Sequence, residues 1–363
     1  MRVEDVDTPA LILELAPFER NLNRMAAFAS KAGMRLRPHA KMHKTPAVAR
    51  RQVDRGAVGV CCQKTSEAEV LVDAGIEDVL VSNQVVGMAK LKRLAVLAQR
   101  ATIGLCVDDA SNARAVSAAA VAAGSLIHAY VEINAGADRC GVAPGAAALA
   151  LAVVVASLPN LRFMGLQAYH GGAQHLRSDA EREAAIAAAI DRARTSRDLI
   201  RAAGIDCPVI TGAGTGTYEL EAASGVYNEL QPGSYAFMDA DYGRNQASTP
   251  YEHSLFVLTS VMSRSPEHAV VDCGLKAHSV DSGMPLVAGD AGGRPMPGVG
   301  YVKASDEHGV ITSSGGDLPA LGSKVRLIPG HIDPTVNLHD WIVGVRDGMV
   351  AELWPVTARG AMW

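Results

Sequence analysis

From residue 34 to residue 230 the chain alternates short apolar runs with longer stretches of helical periodicity. The runs are 34–41, 59–63, 78–82, 102–107, 127–133, 163–169, 209–210 and 227–230, and the helical patterns between them are 45–55, 66–74, 86–99, 110–124, 144–158, 179–204 and 217–224. A further helical stretch, 17–32, precedes the first run and carries the apolar stripe Leu22, Met25, Ala26 and Phe28 or Ala29. Most runs are continuously apolar, without the period-two alternation of a half-exposed strand. Strands of that kind are buried on both faces, which happens in a parallel sheet covered by its own crossover helices. Eight strand-then-helix units favour a closed barrel over an open doubly wound sheet. The expected fold is therefore α/β, a (β/α)8 TIM-type barrel.

The texture changes after Tyr251. The runs 253–260, 269–271, 310–313, 324–328 and 341–345 are short, no long helical stripe accompanies them, and turn-rich segments such as Gly289-Asp290-Ala291-Gly292-Gly293 lie between. This predicts a smaller antiparallel β domain. With the boundary near 243–250, residues 10–245 form the barrel, and 1–9 with 246–363 form the β domain. A chain of 363 residues has room for both.

A formal charge of -4 offers nucleic acid or an anionic membrane no electrostatic footing. No 18-residue window is apolar enough to span a bilayer, and Met1-Arg2-Val3-Glu4-Asp5 has no apolar leader core. The six cysteines lack metal or disulfide spacing and mostly sit in apolar runs. A reducing, cytoplasmic setting is expected.

In such a barrel, chemistry gathers at the C-terminal ends of the strands. Those ends carry Lys41 and His43, Asn83 and Gln84, Asn134 with Asp138-Arg139, and Gln167, Tyr169, His170 and His175; the last two run into Thr211-Gly212-Ala213-Gly214-Thr215-Gly216-Thr217 and Gln231-Pro232-Gly233-Ser234. Lys41 closes the first strand, and a lysine on a rigid element at a pocket mouth can serve as an imine-forming nucleophile. The segment alone also fits a solvated basic loop. Gly214 and Thr215 with Gly233 and Ser234 match the phosphate site that barrels carry after strands seven and eight, although a glycine-rich turn can be only a turn. A lysine nucleophile facing a phosphate cradle suggests pyridoxal phosphate. In the β domain, His331 and Asp333 are two apart, so in an extended segment both would project to one side and could hold a divalent ion. Capped turns or a solvated loop fit the same residues. His39, His128, His253, His268 and His308 receive no role.

Five stretches carry a resemblance: Asp7-Thr8-Pro9-Ala10, Arg37-Pro38-His39-Ala40-Lys41-Met42-His43-Lys44, Gly165-Leu166-Gln167-Ala168-Tyr169-His170-Gly171, Gly274-Leu275-Lys276-Ala277-His278-Ser279 and Pro329-Gly330-His331-Ile332-Asp333-Pro334-Thr335-Val336-Asn337. Together they resemble the D-threonine aldolase and D-serine dehydratase group of the alanine-racemase-type (fold type III) pyridoxal phosphate enzymes, over essentially the whole chain. The resemblance implies pyridoxal 5'-phosphate on Lys41, a divalent ion on His331 and Asp333, and a homodimer whose active site the partner's β domain completes. It also implies Arg139 near the cofactor's phenolic oxygen, and Gln231 where the racemases have an arginine facing the pyridine nitrogen. Tyr169 would pack beside it, and Gly214, Thr215, Gly233 and Ser234 would bind phosphate. Met42 departs from the group, which commonly has threonine there.

Dehydratases of the group typically have cysteine at the second metal position, whereas aldolases resemble this chain in having aspartate. Oxygen ligation by Asp333 favours Mn²⁺ or Mg²⁺ over Zn²⁺. The expected activity is that of a D-threonine aldolase, an aldehyde-lyase cleaving D-β-hydroxy-α-amino acids to glycine and an aldehyde by retro-aldol chemistry, with His175 as the base for the β-hydroxyl. The alternative is a D-serine or D-3-hydroxyaspartate dehydratase, in which Lys41 takes the Cα proton. A pyridoxal phosphate carrier or regulator would not need residues 329–340. A racemase would need a second base, and no tyrosine of the β domain is clearly placed for one.

Overall fold

The computed structural model describes residues 1–246 and 250–363. The chain enters through β1 (Ala10–Glu14) and the helix Leu15–Lys31, and then forms β2 (Arg35–Leu36), β3 (Val60–Cys62), β4 (Asp78–Gln84) and β5 (Thr102–Val107). These continue into β6 (Ile127–Glu132), β7 (Leu161–Gln167), β8 (Val209–Gly212) and β9 (Glu229–Leu230). From β3 to β9 each strand pairs in parallel with its neighbour in chain order, and β9 returns beside β2. Closure between β2 and β3 rests on two backbone bonds of 2.8 Å, from the Val58 amide to the Leu36 carbonyl and from the Cys61 amide to the Pro38 carbonyl. The expected barrel is present.

The first strand is shorter than 34–41 because Pro38 has no N–H to give to a ladder. The chain leaves regular pairing after Leu36 and closes into a 3-10 turn, Ala40–Met42, capped by the His39 ring. Lys41 thus rides on a tight turn at the strand's C-terminal end. Elsewhere the local signals act as the sequence suggests. Asp109 caps the helix Ala110–Ala123 by accepting from the Asn112 amide at 2.8 Å, and Ser178 with Glu181 forms a capping box for Asp179–Ala202.

The second unit is a nine-stranded sheet of β1 with β10 (Leu255–Arg264), β11 (Ala269–Val271), β12 (Leu286–Asp290), β13 (Val299–Ala304), β14 (Gly309–Ser313), β15 (Lys324–Ile328), β16 (Trp341–Arg346) and β17 (Met349–Pro355). All its pairings are antiparallel except β1 with β16. Residues 10–14, assigned by sequence to the barrel, hydrogen-bond within this second sheet, where Leu11, Ile12 and Leu13 are fully buried. β12, β13 and β17 have no counterpart among the sequence-predicted runs. Their residues are mostly exposed or half-buried, so the hydrophobic pattern that announces a strand is weak.

One apolar core joins the two units. Phe18, Leu22, Met42, Leu230, Tyr235 and Phe237 from the barrel side pack with Val257, Leu327, Ile332 and Ile342 from the sheet side. Burial of this kind stabilises by roughly 25 cal/mol per Å² of apolar surface, and here it fixes the short helix Ile332–Val336 over the barrel mouth. Two hydrogen bonds pin that approach: the Ala240 amide to the Pro329 carbonyl at 3.0 Å, and the Ile332 amide to Asp239 Oδ2 at 3.2 Å. Among the described residues no helix is long and apolar enough to cross a membrane, and all six cysteines are unpaired.

Candidate active site

A cavity of about 220 Å³ opens at the C-terminal ends of the barrel strands. Lys41, Arg139, Tyr169, Gly214, Thr215, Gln231, Gly233 and Ser234 all line it, and so does Asp333 from the second unit. Lys41 Nζ stands 3.1 Å from Asp333 Oδ1. Sequence separation gave no hint of this contact, which follows from the shared core beneath it.

The pair perturbs both groups. Asp333 holds the Lys41 ammonium above its ordinary value, outweighing burial. Burial pushes the Asp333 carboxyl up, but Lys41 and His331 outweigh it, and the group stays ionised. Its Oδ1 is buried with no aligned hydrogen-bond donor. His331 Nε2 lies 3.6 Å from Asp333 Oδ2, while Nδ1 is held at 2.7 Å by Asp281 Oδ2. A carboxylate on one ring nitrogen leaves the other free as a ligand. These residues are not in an extended segment, as the sequence suggested. His331 is the N-cap and Asp333 lies in the first turn of the helix Ile332–Val336, so a helix start and not strand pleating brings them together.

A buried carboxylate with Oδ2 facing an oriented imidazole and Oδ1 lacking an aligned donor fits a hard or borderline divalent cation. Among the described residues no cluster of three His, Cys, Asp or Glu forms, so water or substrate would complete the ion's shell. Asp239, buried beside the pair, is pushed up to about 6 by burial, against hydrogen bonds from the Tyr242 and Ile332 amides.

The opposite wall fits a phosphate ester. Thr215 Oγ1 accepts from the Tyr235 amide at 3.0 Å, which leaves its hydroxyl proton to give into the cavity. Gly214 and Gly233 hug their surroundings: a Cβ on Gly214 would lie 2.4 Å from Gln174 Oε1, and one on Gly233 would lie 3.1 Å from the His39 carbonyl. Gln231 and Gln167 exchange amide hydrogen bonds of 2.8 and 3.0 Å, and Gln231 Nε2 also donates to Thr211 Oγ1 at 2.8 Å. The Arg139 guanidinium sits 5.9 Å from the centre of the Tyr169 ring.

His175 ends the turn Gly172–His175 beyond β7 and is not among the residues lining the cavity. Its ring stands 6.4 Å from that of Tyr242, which does line it, and its Nδ1 is 2.6 Å from Asp241 Oδ2.

Sequence reasoning gave His39 no role, yet it lines the cavity with Gln63 and Ser82. Nδ1 accepts from the Lys41 amide at 3.3 Å, and Nε2 meets Gln63 at 2.8 Å and Ser82 at 3.1 Å. Burial, and then Lys41, drive its pKa well below the ordinary value, so the ring is neutral. Its place two residues before Lys41 on the same strand end was the available signal.

Residues 13–241 match the alanine racemase N-terminal domain, and 254–345 match a putative serine dehydratase domain. Over 98% of this chain and 93% of its counterpart, the sequence is 50% identical to a D-threonine aldolase of Arthrobacter sp. The chain belongs to the alanine-racemase-type D-threonine aldolase family. Within that family a 3-hydroxy-D-aspartate aldolase of Paracoccus denitrificans (strain Pd 1222) is 49% identical, over 99% of this chain and 94% of that one. The crystal structure of a D-threonine aldolase from Filomicrobium marinum superposes with a TM-score of 0.96 at 53% identity, covering 99% and 97% of the two chains. A D-threo-3-hydroxyaspartate dehydratase from Delftia sp. HT23 stands further off, at 27% identity and a TM-score of 0.89 over 98% of each chain, and a cysteine-to-alanine variant of such a dehydratase has been solved in a metal-free form. The resemblance read from the five motifs and the fold class both hold, and the alanine racemase family implies pyridoxal phosphate.

Proposed function

We propose that this protein is a pyridoxal-phosphate- and metal-dependent aldolase that cleaves D-β-hydroxy-α-amino acids to glycine and an aldehyde. The observation that carries the reading is the 3.1 Å approach of Lys41 Nζ to Asp333, with His331 alongside, in a cavity whose far wall suits a phosphate. Lys41 would bind the cofactor through its ε-amino group, Thr215 and Ser234 would hold the phosphate, and Gln231 would face the ring nitrogen. Bound pyridoxal phosphate supplies an electron sink for the negative charge left at Cα. His331 and Asp333 would hold a dication, Mn²⁺ or Mg²⁺ by their nitrogen and oxygen donors, which would supply Lewis-acid polarisation of the substrate's β-hydroxyl. His175 would take the β-hydroxyl proton on Nε2 as Cα–Cβ breaks and the aldehyde leaves, and a proton returned to Cα would complete glycine.

Relatives named for D-threonine and for 3-hydroxy-D-aspartate support this substrate class. The dehydratase reading is weaker, since the metal-free dehydratase is a cysteine variant whereas this chain offers the oxygen of Asp333. A carrier or regulator has no use for the His331–Asp333 pair. Both proposed metal ligands come from the same chain as Lys41, so a second copy in a homodimer would add other groups to the site. Six unpaired thiols suit a reducing compartment, the cytoplasm. The test is to incubate the pyridoxal-phosphate-loaded protein and Mn²⁺ with D-threonine, D-serine and D-3-hydroxyaspartate. Glycine with an aldehyde is expected; a keto acid with ammonia would make it a dehydratase.

A further inference from the structure

Asp241 lies outside the cavity and binds neither proposed ion nor proposed cofactor, yet its carboxylate is among the most heavily engaged in the protein. Its side chain is only 5% exposed. Oδ1 accepts from Arg177 Nη2 and, at 2.6 Å, from Arg244 Nη2, while Oδ2 faces His175 Nδ1 at 2.6 Å. Arg177 also donates to the Asp241 carbonyl at 2.7 Å, so the residue is clamped at both side chain and backbone. Burial pushes the carboxyl up, but the hydrogen bonds from Arg177, His175 and Arg244 outweigh it, and the group is ionised. An ionised carboxylate only accepts, so the short contact requires the proton on His175 Nδ1. The lone pair of a neutral ring then falls on Nε2.

From these contacts we infer that Asp241 is the positioning residue for His175, fixing its tautomer and aiming Nε2 at the substrate hydroxyl. The inference rests on the reading of His175 as the base. Among the described residues Asp241 is the one polar partner of the ring, and the only aromatic neighbour is Tyr242. With its side chain 52% exposed, an unanchored His175 would rotate and exchange tautomers in water. The charged groups facing it are Asp241 and, through it, Arg177 and Arg244.

Arg244 gives the arrangement a second purpose. The same Nη2 donates at 2.6 Å to the Ser282 carbonyl, next to Asp281, which orients His331. One guanidinium therefore ties the support of the proposed base to the loop that supports the proposed metal ligand. When Nε2 takes the hydroxyl proton, the imidazolium that forms is paired with Asp241, which itself stays unprotonated.

The test begins without a variant. Nitrogen-15 NMR of ring-labelled histidines at alkaline pH, with His175 assigned by difference against His175→Ala, should show the proton on Nδ1; a proton on Nε2 or an averaged signal would overturn the inference. For Asp241→Asn, kcat for D-threonine cleavage should fall roughly 10- to 100-fold, the usual worth of an orienting partner, with KM within about twofold. An unchanged kcat in a folded Asp241→Asn protein would also overturn it. If His175→Ala itself cleaves at the native rate, the assignment of the base has failed; if His175→Ala is crippled while Asp241→Asn is not, only the positioning role has failed.

Discussion

Gly214→Ala probes the proposed phosphate wall through a neighbour that touches no ligand. The added Cβ would sit 2.4 Å from Gln174 Oε1 and 2.5 Å from its Cδ, about 1 Å inside ordinary contact. Gln174 cannot step aside freely, being 1% exposed, with Oε1 accepting from the Gly216 amide at 2.9 Å and Nε2 donating to Thr217 Oγ1 at 2.8 Å. Moving the side chain breaks both bonds at about 1 kcal/mol each and strands a buried polar group at about 1–3 kcal/mol more, so a loss of about 3–5 kcal/mol is expected. Because the Gly216 amide belongs to the loop lining the site, pyridoxal phosphate affinity should fall as well. Urea unfolding gives the first quantity and cofactor titration of the apoprotein the second. Gly216→Ala is the control, since its Cβ meets nothing closer than 3.3 Å and should cost less than about 1 kcal/mol. A Gly214→Ala protein as stable as the Gly216→Ala protein, with unchanged cofactor affinity, would refute the reasoning.

Three other outcomes follow from buried charge and from the metal pair. Glu221 is buried beside Thr217, has one carboxylate oxygen without a partner, and is pushed by burial from 4.5 up to about 8. The folded protein therefore binds a proton that the unfolded chain releases, so stability should fall as pH rises from about 4.5 to 8, by about 5 kcal/mol at most. Glu221→Gln should flatten that slope in urea titrations at pH 5 and 8; an undiminished slope would show that Glu221 is not its source. Arg37, 2% exposed, pairs with fully buried Glu229 at 3.0 Å and with Asp78 at 2.6 Å, and Glu229 has a second partner in the more exposed Arg35 at 3.0 Å. Arg37→Met leaves buried Glu229 with Arg35 alone and part-exposed Asp78 with water, and should cost about 3 kcal/mol on chemical unfolding, whereas a loss below about 1 kcal/mol would mean that Arg35 and water suffice. Chelation should abolish turnover and Mn²⁺ should restore it, while activity persisting in rigorously chelated protein would remove the metal from the reaction.

The barrel was legible because its strands are buried on both faces and so print as continuous apolar runs, each followed by a helical stripe. Lys41 and the glycine-rich turns were legible because strand ends are fixed points of such a fold. The remainder depended on contacts between distant segments. β12 and β17 are half-exposed and carry little pattern, and β1 looks like any apolar run until its pairing with β10 and β16 is seen. The supporting shell is still less local: Asp281 reaches His331 across 50 positions, Asp241 reaches His175 across 66, and Asp239 reaches the Ile332 amide across 93. Nothing in spacing or composition marks those carboxylates. His331 and Asp333 were paired for a reason that does not hold, since they share a helix start and not a strand face.

The most direct measurement is a crystal structure of the pyridoxal-phosphate-loaded protein soaked in Mn²⁺, with data collected for anomalous scattering from manganese. Continuous density is expected from Lys41 Nζ into the cofactor, with an anomalous peak bonded to His331 Nε2 and Asp333 of the same chain. Cofactor density joined to any other residue, or a manganese peak remote from that histidine and aspartate, would contradict the assignment of the site.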